Sequence, residues 1–381
     1  MESCTLVVAP ELTSQTHQAK RQRTAELDVL RGFAILLVLG VHVQAYPIWS
    51  RFGGFGVDLF FVLSGFLISN LLFMEYRQSH RIVLLRFFLR RALKLYPSFY
   101  LLLAGTLVYC FWWQVPVTGR AVLGELTLTQ NYVGAIWGHT WSLAVEEHFY
   151  LLLPIVLFLM MKIHPDSDNP FRSVPYVFLV VASCCLALRI WNGFAYRPYD
   201  HHVHFEPSHL RFDSLLFGVL LSYLHNFHSH VLSKMMRPPW RLPISFLGIL
   251  ALAPMLILES THPFVYTFGF TLLYIGFGIL LLLAIYKEKP GARPGMVVRA
   301  IGAMGMYSYT VYLWHVPLAM VFAALAVRFN MVNQYALHAV YLAASIAAGI
   351  TASKLVEIPV LKMRERFFPS DSYGITASSR S

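Results

Sequence analysis

Long apolar runs dominate this sequence and leave it few possible folds. Hydrophobic residues make up 57% of the 381 residues and charged residues only 13%, roughly half the charged share of a soluble domain. About ten runs are long enough to cross a bilayer as a helix. They lie at residues 28–46, 56–76, 95–115, 141–161, 174–191, 212–227, 242–258, 264–286, 300–327 and 335–356. We therefore predict an all-α, polytopic membrane bundle of about ten transmembrane helices.

Both ends of the chain are polar. Residues 1–25 hold no apolar core followed by a cleavage site, which argues against a cleaved signal peptide. We expect residues 1–25 and 369–381 to be flexible cytoplasmic tails on either side of one transmembrane domain at residues 26–368.

Lysine and arginine concentrate in alternate loops, and this bias orients the bundle. With the N-terminus inside the cell, the predicted inner segments carry most of the 30 basic residues, and the outer segments carry only scattered arginines. Cytoplasmic loops show this excess. We predict a multi-pass protein of the cell membrane with both termini cytoplasmic. The bias also explains the net charge of +11, so lipid bilayer rather than nucleic acid is the expected partner.

The first predicted span contains two ionisable residues, Arg31 and His42. Eleven residues are just over three helical turns, so the two side chains share one helix face and are separated by roughly 16 Å along the axis. Charged groups in a membrane are costly and usually functional. Arg31 could instead reach the inner headgroups, and His42 could be a hydrogen-bonded core histidine.

Other polar side chains are expected in the outer layer near His42. Glu146 and Glu147 interrupt the fourth span, and Asp58 opens the second. A neutral histidine supported by a carboxylate can remove a proton from a hydroxyl group. These residues therefore predict general base catalysis on an alcohol. The alternative is that the carboxylates lie at the membrane interface and are solvated by water. Further candidates for lining the substrate site are Trp141, Ser142, Tyr150, Arg211, Asp213 and His315.

The inner layer is basic. Arg86, Arg90 and Lys94 repeat at four-residue spacing along one helix stripe, with Arg91 beside them. Guanidinium groups suit phosphates, so the stripe predicts a site for a phosphate-bearing cytosolic donor, and Arg31 would lie next to it. Contact with anionic lipid is the alternative.

An outer loop, YRPYDHHVHFEPSHLR, clusters four histidines with Asp200 and Glu206. Their spacing matches no metal-site signature, and the four cysteines imply no disulfide framework. We predict a polar loop over a cavity mouth and no metal site. Trp137, Tyr196 and Tyr199 could stack on a sugar there, although such residues also anchor proteins at the membrane interface.

Several segments resemble the acyltransferase-3 family of membrane-bound acyltransferases. The resemblance runs from LDVLRGFAILLVLGVH through GVDLFFVLSGFLI, FFLRRALKLYP, TWSLAVEEHFYLLLP, RFDSLLFGVLL and YSYTVYLWHVP to VEIPVLKMRERF, in the family's order over residues 26 to 368. It implies an integral membrane enzyme that transfers an acyl group, commonly acetyl from acetyl-CoA, to a hydroxyl group. Family acceptors include surface polysaccharides, O-antigen, peptidoglycan, other glycans and macrolides.

The resemblance also implies roles for individual residues. Arg31 and His42 match the family's essential pair, Arg90 and Arg91 its double arginine, and Glu146 with Glu147 its carboxylate pair. Three positions depart from the pattern: Lys94 replaces a usual arginine, Ala144 a frequent serine, and His148 a frequent glutamine. The hydrolase-like domain of some members is not expected here, so the membrane domain or a partner would handle the acceptor.

These observations predict an O-acyltransferase with no tightly bound cofactor. Acetyl-CoA or another acyl-CoA would be the co-substrate, held by Arg31, Arg90, Arg91 and Lys94. The acceptor would be a carbohydrate, glycolipid or macrolide-like hydroxyl compound, deprotonated at His42 or acylated through it. One alternative is a proton-coupled transporter that uses the intramembrane His, Glu and Asp residues. Another is an inactive export or assembly partner of a glycan pathway.

Overall fold

The computed structural model describes residues 10–43, 46–165, 167–287, 295–330 and 333–368, with the backbone alone for residues 10–24. Within these ranges the chain forms helices joined by turns and short loops, without β-strands. The prediction of an all-α fold is confirmed.

The helices are numbered in chain order. Their bounds are α1 Pro10–Gly40, α2 Pro47–Gly53, α3 Gly56–Ser79, α4 Leu84–Trp112, α5 Gly119–Thr127, α6 Gln130–Val133, α7 Trp141–Ile163, α8 Val174–Ala195, α9 His201–His204, α10 Phe212–Phe227, α11 Ser229–Met235, α12 Arg241–Ile257, α13 Phe270–Ile285, α14 Met296–Met306, α15 Ser308–Arg328, α16 Gln334–Ala352 and α17 Ile358–Phe367. Short 3₁₀ segments lie at Gly138–Thr140 and Ser208–Leu210, and π-helical turns at Val265–Gly269 and Ser353–Glu357.

In the described part of the chain, seven helical segments are long and apolar enough to cross a membrane. They contain α3, α4, α7, α8, α13, α15 and α16. The chain is therefore a multi-pass membrane protein. The apolar half of α1 and the shorter helices α10 and α12 coincide with three further predicted spans, so the total of about ten stays a prediction.

The bounds differ from the predicted spans at three places. The predicted ninth span, 300–327, is divided at Tyr307 because α14 packs against α1 whereas α15 packs against α16. Helix α1 ends at Gly40, so His42 lies in the following turn. The same helix begins at Pro10, inside the segment predicted as a flexible tail. Residues 1–9 and 369–381 of the predicted tails lie outside the described residues.

Close backbone contacts between helices set the geometry of the bundle. Helices α3 and α10 cross at Gly65 and Gly218, where a methyl group added to Gly218 would lie 2.2 Å from the carbonyl oxygen of Val62. Small residues at such crossings let membrane helices approach closely without side chains between them. This contact fixes α3, which carries Asp58 and Ser64, against α10.

Candidate active site

Three histidines meet at the end of the bundle where α1 ends, which we call the outer end after the predicted orientation. The ring of His315, on α15, lies 5.4 Å from that of His42 and 5.1 Å from that of His139, measured between centroids. Tyr341 of α16 closes the group, 6.2 Å from His42. We call His42, His139 and His315 the histidine cluster. His139 precedes α7 and was not among the predicted site residues.

Two members of the cluster are held in defined tautomers by backbone carbonyls of α15. The Nδ1–H of His315 donates to the Tyr312 carbonyl at 2.5 Å, and the Nε2–H of His139 donates to the Leu313 carbonyl at 3.2 Å. Because a carbonyl only accepts, the other ring nitrogen of each neutral imidazole is left as a base. The Nδ1 of His139 is buried without a hydrogen-bond partner among the described residues.

The cluster is joined to α7 through hydroxyl groups. Tyr312 donates its hydroxyl to the His139 carbonyl at 2.6 Å, so Ser142, 2.5 Å from the same hydroxyl, is the donor to Tyr312. The structure thus brings the predicted residues His42, Ser142 and His315 together. This arrangement offers several weak bases and hydroxyl dipoles in a mostly buried space, which suits proton transfer to and from an alcohol.

The loop that carries His139 is held by a carboxylate that the sequence analysis missed. Glu125 of α5, 1% exposed, accepts from the backbone amides of Ile136 and Trp137 at 3.1 Å each and from the Thr140 hydroxyl at 2.9 Å. Burial raises the pKa of the Glu125 carboxyl, and these three hydrogen bonds oppose the shift. The available signal was a lone carboxylate in the apolar segment AVLGELTL, just before the motif TWSLAVEE.

The two adjacent glutamates of α7 lie further toward the inner end. Glu146 is 3.9 Å from the Arg91 guanidinium, and Glu147 accepts from the Tyr96 hydroxyl at 3.1 Å. They lie one turn beyond Ser142, about 6 Å along the axis, which moves them away from the histidines. They face Arg91 and Tyr96 rather than the cluster, which corrects the expectation that one of them supports His42.

Arg91 is the centre of this second group. Its guanidinium lies 3.8 Å from the ring centroid of Tyr150, whose hydroxyl is hydrogen-bonded to Ser64. Tyr150 was predicted to line the substrate site. Its ring and hydroxyl are instead occupied by Arg91 and Ser64, so it ties α3, α4 and α7 together.

The predicted basic stripe separates into different environments at the inner end. Lys94 lies within electrostatic range of Arg31 and Arg91, together with the carboxylate of Glu357. Arg90 instead forms a 2.7 Å ion pair with Glu365 of α17 and donates to the Phe368 carbonyl. Arg31, Arg91 and Lys94 form what we call the inner cation group. Arg90 is therefore not part of the inner cation group, because its guanidinium is already bonded to Glu365 of α17 and to the Phe368 carbonyl.

Asp58, Arg211 and Asp213 lie in a sealed ion-pair network. Asp58 bonds Arg211 at 2.6 Å and Asp213 bonds Arg189 at 2.7 Å, with all four side chains fully buried. Helices α3, α8 and α10 are joined by these pairs.

Aromatic rings pack against the network. The Arg211 guanidinium lies 3.7 Å from the Phe270 ring centroid and 5.8 Å from that of Trp141. The expectations of a catalytic Asp58 and of Arg211 and Asp213 as substrate ligands are corrected, because their charged groups are paired and fully buried. Trp141, also predicted to line the substrate site, is 5% exposed and packs against this network. Arg189, the partner of Asp213, was not foreseen.

Comparison with known proteins identifies the family. The family model described as an acyltransferase domain, acyltransferase-3, matches residues 24–353. The chain belongs to this family. No solved structure matches it. The resemblance found in the sequence is thus confirmed, and the family gives no support to the transporter hypothesis.

Two relatives show how far the similarity extends. The chain is 27% identical over 314 residues to "O-acetyltransferase OatA" of Staphylococcus aureus, covering 77% of this chain and 50% of that protein. It is 25% identical over 329 residues to "Peptidoglycan O-acetyltransferase OatA" of Listeria monocytogenes, covering 80% of this chain and 50% of that protein. The chain therefore spans about half the length of the curated relatives it matches.

Proposed function

We propose that this chain is a membrane-embedded O-acyltransferase of the cell membrane, with both termini cytoplasmic. It transfers an acyl group, acetyl foremost, from acyl-CoA to a hydroxyl group of a carbohydrate or glycoconjugate. The observation that carries the proposal is that the histidine cluster lies where α1 ends, whereas Arg31 of the inner cation group lies on α1 nine residues, or about 14 Å, before that end. The printed names of the relatives support acetyl as the group and, for the Listeria protein, peptidoglycan as the acceptor.

The inner cation group is the proposed binding site for the phosphates of acyl-CoA. Arg31 lies on α1 and Arg91 and Lys94 lie on α4, and the carboxylates of Asp28, Glu146 and Glu357 are close enough to offset part of their charge. Phosphate oxygens interact strongly with such groups where water is scarce. The long, thin pantetheine arm then reaches along α1 toward the outer end, which places the thioester near His42.

At the outer end His42 is the proposed base. Its unprotonated nitrogen takes the proton of the acceptor hydroxyl, the oxygen attacks the thioester carbonyl, the C–S bond breaks, and the CoA thiolate takes up the proton from the imidazolium. The products are the acyl ester and CoA thiol. A two-step route in which His42 first carries the acyl group fulfils the same balance. His139 and His315 border the base.

The test uses the purified full chain in lipid nanodiscs. Labelled acetyl-CoA is supplied with a soluble peptidoglycan glycan fragment, and both the acetyl ester and the free CoA thiol are measured. We expect His42→Ala to lower turnover by about 10²–10⁴-fold. His230→Ala, at an exposed histidine of α11, is the matched control and keeps wild-type turnover. A fully active His42→Ala variant, or wild-type protein that consumes no acyl-CoA, would contradict the proposal.

A further inference from the structure

An open cavity of about 550 Å³ lies at the outer end, outside the histidine cluster. Three segments form it: the α6 helix with the loop after it, the end of α8, and the loop around α9. The residues that carry the argument are Gln130, Asn131, Tyr132, Asn192, Tyr196 and His209. Its volume is in the range of natural small-molecule sites. His202 and His209 of the histidine-rich loop, which we predicted to lie over a cavity mouth, line this cavity.

Two buried carboxamides on the cavity wall have unpaired acceptors. Gln130 and Asn131 are 3% and 4% exposed. Their amino groups donate to the Thr140 carbonyl at 2.7 Å and to the Ser208 hydroxyl at 2.8 Å. The carbonyl oxygen of each has no hydrogen-bond partner among the described residues. Both oxygens are themselves buried, so the two carboxamides shape the cavity wall without presenting a free acceptor to the cavity.

Flat aromatic faces lie beside these amides. Tyr132 and Tyr196, both on the cavity wall, are 48% and 53% exposed. The Tyr132 ring is stacked on His209 with an interplanar angle of 17°, and its hydroxyl is 2.9 Å from the His209 Nδ1. An aromatic ring held in this way offers a rigid apolar face beside a polar group. A sugar ring presents the complementary combination of C–H faces and hydroxyl edges.

The charge of the cavity narrows the ligand class. Its described lining residues include neither lysine or arginine nor aspartate or glutamate. An anionic headgroup or phosphate would find no lysine or arginine there, and the His202 imidazole is already bonded to the Glu206 carboxylate at 2.8 Å, whereas a neutral polyhydroxy compound needs no cation. The cavity also adjoins the loop that carries His139, since Gln130 bonds the carbonyl of Thr140, the neighbour of His139.

We propose that this cavity holds a neutral carbohydrate segment of the acceptor. A sugar ring lies against the exposed rings of Tyr132 and Tyr196, and its hydroxyl groups face the polar side chains of Asn192, His202 and His209, which line the same cavity. The inference rests on the proposed function for the identity of this sugar as the acyl acceptor. Binding itself requires no donor and no acyl transfer.

The experiment measures binding by calorimetry on the full chain in nanodiscs without acyl-CoA. The probe is the soluble peptidoglycan glycan fragment, made from neutral N-acetylglucosamine units with the muramic acid carboxyl amidated. We expect Tyr132→Ala and Tyr196→Ala to weaken binding by about fivefold to tenfold each. Trp113→Ala, which removes a 68% exposed ring at the same end outside the cavity lining, is the matched control and binds as the wild type does.

Two results would overturn the inference. One is wild-type protein that binds no probe at millimolar concentration, and the other is unchanged affinity in both tyrosine variants. Equal melting temperatures of the variants and the wild type exclude misfolding as the cause of weaker binding. The proposed function is judged separately by consumption of acyl-CoA, so a chain that turns over acyl-CoA but does not bind the glycan refutes the cavity site alone.

Discussion

His139 and His315 meet edge to face with ring centroids 5.1 Å apart, and each donates one ring N–H to a backbone carbonyl of α15. Their tautomers are fixed by carbonyls that lie only one residue apart in the chain, Tyr312 and Leu313. In both rings, the nitrogen that is not bonded to α15 is therefore the basic one. A fixed tautomer is what a proton-transfer group needs beside His42.

His139 should act through its basic nitrogen rather than as a spacer. His139→Gln keeps an amide donor at the Nε2 position for the Leu313 carbonyl but removes the Nδ1 base. We expect acyl transfer to fall by about tenfold or more, with an unchanged melting temperature. The measurement is turnover of labelled acetyl-CoA across pH 5.5 to 9. If the glutamine variant keeps both the rate and the pH profile of the wild type, the residue only positions its loop.

The Asp58–Arg211 pair should be structural. Both side chains are fully buried, so Asp58→Asn leaves an uncompensated guanidinium and is expected to cost about 3–5 kcal/mol of unfolding free energy. The double variant Asp58→Leu with Arg211→Met should be less destabilised than Asp58→Asn, because no charge remains buried alone. Thermal unfolding in detergent measures both. An Asp58→Asn variant with wild-type stability and no activity would instead restore the catalytic role predicted from the sequence.

Features that depend on a single stretch of the chain were predicted well from the sequence. Apolar runs fix where helices can lie, because each run must satisfy its own backbone hydrogen bonds inside the bilayer. The single-helix spacing predicted for Arg31 and His42 holds only as far as Gly40, where α1 ends. In contrast, the partners of Glu146 and Asp213 are arginines on other helices, and such pairing depends on how helices rotate and cross. Arg189 and His139 were missed for the same reason.

Lys94 should matter more than Arg90 for donor binding. Lys94 lies near Arg31 and Arg91, whereas Arg90 is paired with Glu365 and with the Phe368 carbonyl. We expect Lys94→Ala to raise the KM for acyl-CoA by about tenfold, the value of one charge-assisted hydrogen bond. Arg90→Ala, the matched variant on the same helix, should raise the KM for acyl-CoA less than threefold. Equal effects of the two variants on KM would place Arg90 in the phosphate site after all.

The outer loop should loosen as pH rises. His202 lies in this loop, and its hydrogen bond to the Glu206 carboxylate, 2.8 Å long, raises the pKa of its imidazole against a smaller opposing effect of burial. A histidine with a raised folded pKa adds stability that is complete below its unfolded pKa, near 6.5. That stability is lost as pH rises through the folded pKa, so the loss begins above about pH 6.5.

Hydrogen exchange of the segment 200–206 measures this loss, after correction for the intrinsic pH dependence of exchange. Protection in the wild type is expected to fall between pH 6 and pH 8, and to change less in His202→Gln, which cannot become charged. His201, bonded at 3.0 Å to the same carboxylate, is present in both proteins, so the comparison isolates His202. The effect is small because the His202 side chain is 75% exposed. Identical pH profiles in the two proteins would show that the contact between His202 and Glu206 does not hold the loop.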